Sequence, residues 1–527
     1  MNDFFVQKFS KLLIYSRNVL SANKIFYFCW LELIFKLMKR TTLLTVVCIL
    51  MMQSGFAGGI LTNANQSAQY VRMLSRNASF DIDAVYFNPA GLVKLENGFH
   101  FAFNNQSIFQ SRTIENRFPL LNQSNYKGDL AVPFFPTVFA VYKKDKLALS
   151  FGLGVNSGGG TAEYKTGLPS FEIPFSQLPA SLNQLGVPTQ AYSTDLYFKG
   201  KSVFWGYQFN ASYEFSDVVS GAVGFRLLNA KNTYDGHIKN ISVITNGQSI
   251  LAKELLLGIS AQAAAASQVL AEYPSDAVMP DETASQYGFP SGTTFGVASA
   301  TMSAKAGIAS ENGNKLGDKY EKLDQTGFGI TPIIGLNISP NDRLNMGFRY
   351  EFKTALKMTN KTEVDDLEVY PDGEEFRNDI PAIFTAGVDY KLYDNFRLSG
   401  SFSNYFDKDA NWSGKESDVE KNYYELAFGM EYQVSDATAI SAGVMHSETG
   451  VGRGYQTDIS YSLSSNTVGF GMQFQINESF DLDLGGLFTM YEEGYKEIQY
   501  EGIGTFKELY DKSNLVFSIG LTYHLFN

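Results

Sequence analysis

The sequence predicts an all-β fold, a 14-stranded antiparallel transmembrane β-barrel with a small N-terminal hatch inside its lumen. Three observations carry that expectation. Apolar residues alternate with period two from about residue 99 to the chain end, the connections between strands alternate short and long, and the N-terminus reads as a secretory leader.

The leader comes first. Met38-Lys39-Arg40 is a basic start, residues 41–52 form an apolar core, and Gly55-Phe56-Ala57 supplies small residues at a cleavage site, so residues 38–57 are expected to be a signal peptide. Residues 25–38 are apolar but short and carry Glu32 and Lys36, a poor membrane span. Residues 1–37 are therefore expected to be a mis-annotated extension, with Met38 the true start. Cys29 and Cys48 both precede the cleavage point, and Val47 is too bulky for Cys48 to be a lipoprotein acceptor. The mature chain is expected to hold no disulfide and no thiolate metal site. From residue 58 onward, 35 Lys/Arg stand against 52 Asp/Glu, a net charge of −17 without a basic run, which argues against a nucleic-acid partner.

Residues 58–98 are polar and rich in Ser, Asn and Ala, with no strand periodicity. They read as a hatch in the lumen or, alternatively, a disordered tail.

The strands follow. The chain has 43 Phe, 30 Tyr and 47 Gly but only 18% charged residues, and no run of about 18 apolar residues that would suit a helical span. Leu344, Met346, Phe348, Tyr350 and Phe352 alternate with Asn345, Gly347, Arg349 and Glu351. Val468, Phe470, Met472 and Phe474 alternate with Gly469, Gly471 and Gln473. Such segments recur at 99–111, 130–143, 147–156, 202–215, 218–234, 326–339, 342–358, 380–391, 394–408, 421–434, 437–448, 464–477, 480–492 and 513–526. Alternate links are tight, as at Ser435-Asp436, whereas the others run long at 112–129, 157–201, 235–325, 359–379, 409–420, 449–463 and 493–512. Short periplasmic turns and long extracellular loops are the outer-membrane barrel asymmetry. A soluble sandwich has no reason to sort its loops by parity. The final strand, Leu515 to Leu525 in alternation, is the kind of aromatic-rich terminus that barrel-insertion machinery reads.

Arg76-Asn77-Ala78-Ser79-Phe80-Asp81-Ile82-Asp83-Ala84-Val85-Tyr86-Phe87-Asn88-Pro89-Ala90-Gly91-Leu92 resembles the hatch signature of the FadL-type outer-membrane transporters of long-chain fatty acids and other hydrophobic compounds. Gly224-Phe225-Arg226 to Tyr234, Asn345 to Lys357, Ile380-Pro381-Ala382 and the final strand also look like that family, and the likeness covers nearly all of the mature chain. The long loop 235–325 and a terminal aromatic displaced by one residue depart from it. The resemblance implies a monomer in the bacterial outer membrane, without cofactor or energy source. It implies capture of a hydrophobic ligand by extracellular loops, passage past a hatch held at Asn88-Pro89-Ala90, and release sideways into outer-membrane lipid. The family's inward kink in the third strand falls at Gly158-Gly159-Gly160, which otherwise read as a flexible loop start. Its basic head-group ligands fall near Lys231, Lys239, Lys408 and Lys415, each otherwise a rim charge.

Residues 168–188 are apolar for an extracellular loop, with Phe171, Ile173, Phe175, Leu178 and Leu182. They are either a ligand-catching groove or loops packed on each other. Residues 249–272 pass from Leu-rich to Ala-rich, helix-prone sequence. A lipase would need a nucleophile and base. Four His follow the leader, and no G-x-S-x-G elbow or metal-ligand spacing accompanies them, so neither catalytic nor metal residues are expected. A diffusion porin for polar solutes is the other rival, disfavoured by the hatch.

Overall fold

The computed structural model describes residues 60–184, 186–500 and 502–526. The expected extension 1–37 and signal peptide 38–57, with both cysteines, lie outside the described residues. The chain divides into two compact units, a barrel (residues 51–176, 195–238 and 319–527) and a smaller unit (177–194 and 239–318, grouped with residues 1–50).

Fourteen antiparallel strands wall the barrel. They are β1 (Gly98–Asn116), β2 (Asn125–Lys144), β3 (Leu147–Tyr164), β4 (Thr189–Glu214), β5 (Val219–Thr245), β6 (Lys319–Asn341) and β7 (Leu344–Glu351), then β8 (Ile383–Tyr393), β9 (Phe396–Tyr405), β10 (Tyr423–Ser435), β11 (Thr438–Glu448), β12 (Ser465–Asn477), β13 (Phe480–Tyr491) and β14 (Gly504–Phe526). The wall closes where β1 pairs with β14, from Gly98 opposite Phe526 to Asn116 opposite Glu508. Short strands at Lys357–Asp365, Glu375–Arg377 and Gly494–Tyr500 extend the hairpins of the long connections.

Period two explains the wall. On β1, Phe99, Phe101, Phe103 and Phe109 are exposed on the outer face while Asn104, Gln106 and Gln110 are buried inward. On β7 the inward set is Asn345, Gly347, Arg349 and Glu351. Apolar side chains face outward and polar ones inward, the inverse of a soluble barrel and the pattern a lipid solvent selects.

Several strands run further than their hydrophobic alternation does. β1 continues to Asn116, β2 starts at Asn125, β3 continues to Tyr164, β4 starts at Thr189 and β14 at Gly504. Their extra residues turn Thr113, Asp129, Lys199 or Lys201 outward, so the ladder persists where the outer face has become polar. The expected loop 157–201 thereby shrinks to residues 165–188. β7 is shorter than expected and ends at Glu351, ahead of a bend bridged by Thr354 and Ile380.

The hatch is folded. α1 (Ala68–Met73) is capped by Ser67, whose hydroxyl accepts the Tyr70 amide, and α2 (Ala84–Phe87) runs into a 3-10 turn at Pro89–Lys94. Tyr70, Val71, Leu74, Val85, Phe87 and Leu92 share one apolar core with Ile108, Leu130, Phe135 and Phe139 of β1 and β2.

The smaller unit contains α4 (Leu178–Gln184), a hairpin pairing Ser242–Thr245 with Gln248–Leu251, and α5 (Ala252–Ala271), α6 (Asp281–Gln286) and α7 (Phe295–Lys315). Small residues let α5 and α7 approach closely, and Ser260 and Ser267 on α5 donate to the carbonyls of Ala306 and Ser299 on α7. In the barrel unit, α3 (Pro169–Ser176) precedes α4 in the chain.

Candidate functional site

Two features meet inside the barrel, a hatch bolted to the wall and a break in the wall itself.

Asn88-Pro89-Ala90 anchors one side of the hatch. Pro89 opens the 3-10 turn, where its missing N–H costs nothing. The carbonyls of Pro89 and Ala90 accept the hydroxyls of Ser212 on β4 and Ser220 on β5, both at 2.7 Å. The Asn88 amide donates to Asn337 Oδ1 on β6 at 2.7 Å. A Cβ on Gly91 would strike the Ser79 carbonyl, so only glycine fits after the motif.

Arg72 anchors the other side. Its guanidinium is 1% exposed and reaches Asp483 on β13 at 2.8 Å, Glu431 on β10 and the Ser441 hydroxyl on β11. Within the hatch, Arg76 holds Asp83 and Asp81 at 2.7 and 2.5 Å. Burial raises the Asp81 carboxyl, yet Arg76 and then Arg397 hold it well below the carboxylate range. Between hatch and wall, Tyr86 lies under two guanidinium groups, Arg226 and Arg349, each 5.0 Å from its ring, and Arg226 is paired with Glu351 at 2.6 Å.

The wall is broken between β2 and β3. Their ladder runs from Lys144–Leu147 to Val138–Leu153, then resumes only at Asp129–Glu163. β3 bulges twice against β4, after Val155 and after Gly158. Gly158 and Gly159 have φ of +65° and +114°, and a Cβ on Gly158, Gly159 or Gly160 would strike the Ser202 carbonyl, the Phe135 ring or the Leu130 side chain respectively. The bulges also turn Val155, which strict alternation places on the lipid face with Leu149, into the buried core.

A broken ladder frees backbone groups that must find partners. On β2, Pro133 and Pro136 have no N–H to satisfy, the Phe135 amide donates to Asn105 Oδ1, and the Pro133 carbonyl accepts Asn105 and Ser107. On β3 the partners come from the hatch. The Asn63 amide donates to the Asn156 carbonyl at 2.8 Å, the Asn63 side chain to the carbonyls of Val155 and Gly158, and Gln66 to Val155. A small gap adjoins this junction, lined by Gln66, Val85, Phe139, Gly154 and Asn156. A second small gap lies against Tyr70, Phe87, Tyr405, Glu425 and Met445.

The other sequence candidates are scattered. Lys231 points to the outer face of β5, 2.8 Å from Asp324, and not into the lumen. Lys239 belongs to the smaller unit, where its carbonyl accepts the Thr194 hydroxyl. Lys408 is exposed and donates to the Glu420 carbonyl. Lys415 is half-buried, 5.7 Å from the Tyr455 ring, and burial pushes its ammonium down to about 8 against the pull of Asp418. Of the apolar loop residues, Phe171, Ile173 and Phe175 lie on α3 with Phe175 buried and Phe171 edge-on to Phe198. Leu178 and Leu182 lie on α4, with Leu182 buried. None of the five is fully exposed.

Sequence reasoning missed Asn63, Gln66 and Arg72. Their partners lie about 90 to 410 residues away, so nothing local marks them.

No family model and no curated protein sequence matches the chain. Among solved structures, it is similar to the crystal structure of a Pseudomonas aeruginosa FadL homologue, with TM-score 0.54 and 14% identity over 88% of this chain and 99% of that one. It is likewise similar to the Pseudomonas putida toluene transporter TodX, with TM-score 0.50 and 13% identity over 88% of this chain and 99% of that one. At such identities the likeness establishes a common fold, a 14-stranded barrel of the FadL type.

Proposed function

We propose that this chain is a passive outer-membrane transporter of hydrophobic compounds, long-chain fatty acids or others, working as a monomer. The two neighbours named for FadL homology and for toluene transport support the reading. Cargo is caught at the extracellular loops, passes beside the hatch and leaves sideways through the break between β2 and β3 into the membrane.

The observation that carries this reading is the break itself. Each CH₂ moved from water into an apolar surrounding gains about 0.8 kcal/mol, so a water-filled channel is a poor path for a hydrophobe and a side exit into lipid a good one. Unpaired strand edges are tolerated at membrane depth only where they border protein or a cavity. Here glycines, prolines and hatch side chains share that task. A polar-solute porin would have no use for a hatch held on both sides by buried hydrogen bonds.

The test is substitution of Gly159 and Gly160 by Val in cells lacking other carriers. Uptake of a long-chain fatty acid and of toluene should both collapse while surface expression persists. Undiminished uptake of both would remove the side exit.

A further inference from the structure

At the short-turn end of the seam between β1 and β14, two histidines face each other across the ladder. His100 on β1 is the direct partner of His524 on β14, and their Nδ1 atoms are 2.6 Å apart. His100 is 1% exposed, and the His524 side chain is 17% exposed at the mouth. Each ring spends its other nitrogen on an acceptor. His100 Nε2 is 2.9 Å from the Glu96 carbonyl, and His524 Nε2 is 3.2 Å from Asp481 Oδ2 on β13. Phe526 stacks on the His524 ring, and His100 meets both rings edge-on, so packing also sets the orientation of the pair.

The contacts form a chain of carbonyl, imidazole, imidazole and carboxylate. Three hydrogen bonds need three protons. A carbonyl and an ionised carboxylate only accept, and two neutral imidazoles bring one N–H each. Every neutral arrangement therefore sets lone pair against lone pair at one of the three contacts. Flipping a ring does not help, because it puts carbon atoms where the nitrogens now sit. The charged groups that face the pair are Asp481 from β13, Lys143 from β2 and Glu96 from the segment before β1. The Lys143 ammonium donates to the Asn97 side chain and the Asp145 carbonyl, whereas the Asp481 carboxylate meets His524. Negative charge thus stands at the His524 end of the chain.

We propose that His100 and His524 hold one proton beyond the two of their neutral forms, as a clasp across the seam. His524 is the imidazolium. It donates Nδ1–H to His100 and Nε2–H to Asp481, while neutral His100 donates to the Glu96 carbonyl. Charge-assisted hydrogen bonds are short and about twice as strong as neutral ones, which fits the close approach of the two Nδ1 atoms. The clasp joins residues 424 positions apart, where the first strand begins and the last one ends. Separated strands offer the proton no such chain of acceptors. The clasp therefore holds in acid and loosens as rising pH removes the proton. It acts on the closure of the wall and does not depend on which cargo the protein carries.

Nitrogen NMR of the purified, folded full chain with 15N-labelled histidine rings tests this, with the H524Q and H100Q variants assigning the two signals. At the pH where a histidine peptide in the same buffer has become neutral, His524 should still carry protons on both ring nitrogens and His100 on Nε2 alone. Amide exchange at residues 99–101 should quicken about tenfold or more once His524 loses its second proton, as expected for the loss of a charge-assisted hydrogen bond. The D481N variant keeps a polar group beside His524 without its charge, and should let His524 become neutral together with the peptide. A wild-type His524 that is neutral alongside the peptide overturns the clasp, as does a D481N protein in which His524 stays cationic. Exchange at residues 99–101 that ignores the loss of the proton overturns its hold on the seam. If D481N does not fold, the wild-type spectrum and exchange decide alone.

Discussion

Asp407 shows how a single side chain sets a pH dependence here. It lies in the connection between β9 and β10, fully buried, with Oδ2 accepting the Tyr423 amide and Oδ1 without a hydrogen-bond partner among the described residues. Burial pushes its carboxyl up to about 8. The folded chain therefore holds a proton that the unfolded chain releases near pH 4. This contribution is fully present below about pH 4 and is lost as pH rises through about 8. Asp407→Asn keeps the amide contact and removes the charge. It should raise the unfolding temperature at pH 8, by the equivalent of about 1–3 kcal/mol, and leave it unchanged at pH 4. Thermal melts at both values decide it; equal shifts at the two would show that ionisation is not the cause. At this same scale the sequence was legible only where chemistry is local. Asn88-Pro89-Ala90 announces a turn because Asn and Pro favour turns on their own. Asn63 and Gln66 could not be singled out, because an amide is marked as a backbone cap only by the carbonyl it finds, here 89 to 95 residues away.

Among elements, legibility follows solvent. Where the outer face meets lipid, as in Phe99 to Phe109 or Leu515 to Leu525, alternation shows each strand to within a few residues. Where that face meets water it turns polar, and the ends of β1, β3, β4 and β14 disappear from the pattern although their hydrogen bonds continue. The long connection after β5 is the extreme case. Its Ala-rich stretch announced a helix, but the partner helix α7, with Gly, Ser and Ala on most faces, carried no clear period. The ladder suggests that this connection is dispensable for the wall. Ile238 on β5 and Lys319 on β6 are direct cross-strand partners, so their ends are already one hairpin turn apart. Replacing residues 239–318 by Asn-Gly, which suits a two-residue hairpin turn, should leave a folded barrel. Migration on an unboiled gel and β-dominated circular dichroism are the measurements. A protein that no longer folds would mean that these 80 residues help to form the wall.

At the largest scale, the barrel unit is a closed wall whose contents are fastened on two sides, by Asn88-Pro89-Ala90 to β4–β6 and by Arg72 to β10–β13. The protein should run as a heat-modifiable monomer, and identical mobility before and after boiling would contradict the barrel. The two fastenings differ in kind. The first consists of neutral hydrogen bonds, each contributing about 0.5–1.5 kcal/mol net. The second seats Arg72 between Asp483 and Glu431; Arg397 also holds Glu431, at 2.7 Å, so the loss of Arg72 strips the buried Asp483 of its cation. Removing one partner from such a group costs about 3–5 kcal/mol, whereas removing all its charges together can cost little. Arg72→Ala should therefore free that side of the hatch, raising the conductance of single barrels in planar bilayers and lowering the unfolding temperature. The double variant R72M/D483N should recover most of the lost stability, since Glu431 keeps Arg397 and Asp483 no longer carries a charge, and non-additivity of this size is the mark of direct coupling. If the double variant is as unstable as the single one, the loss comes from packing around the Arg72 side chain and the charges do not fasten the hatch. If Arg72→Ala leaves the conductance at its closed value, the Asn88-Pro89-Ala90 side alone keeps the lumen shut.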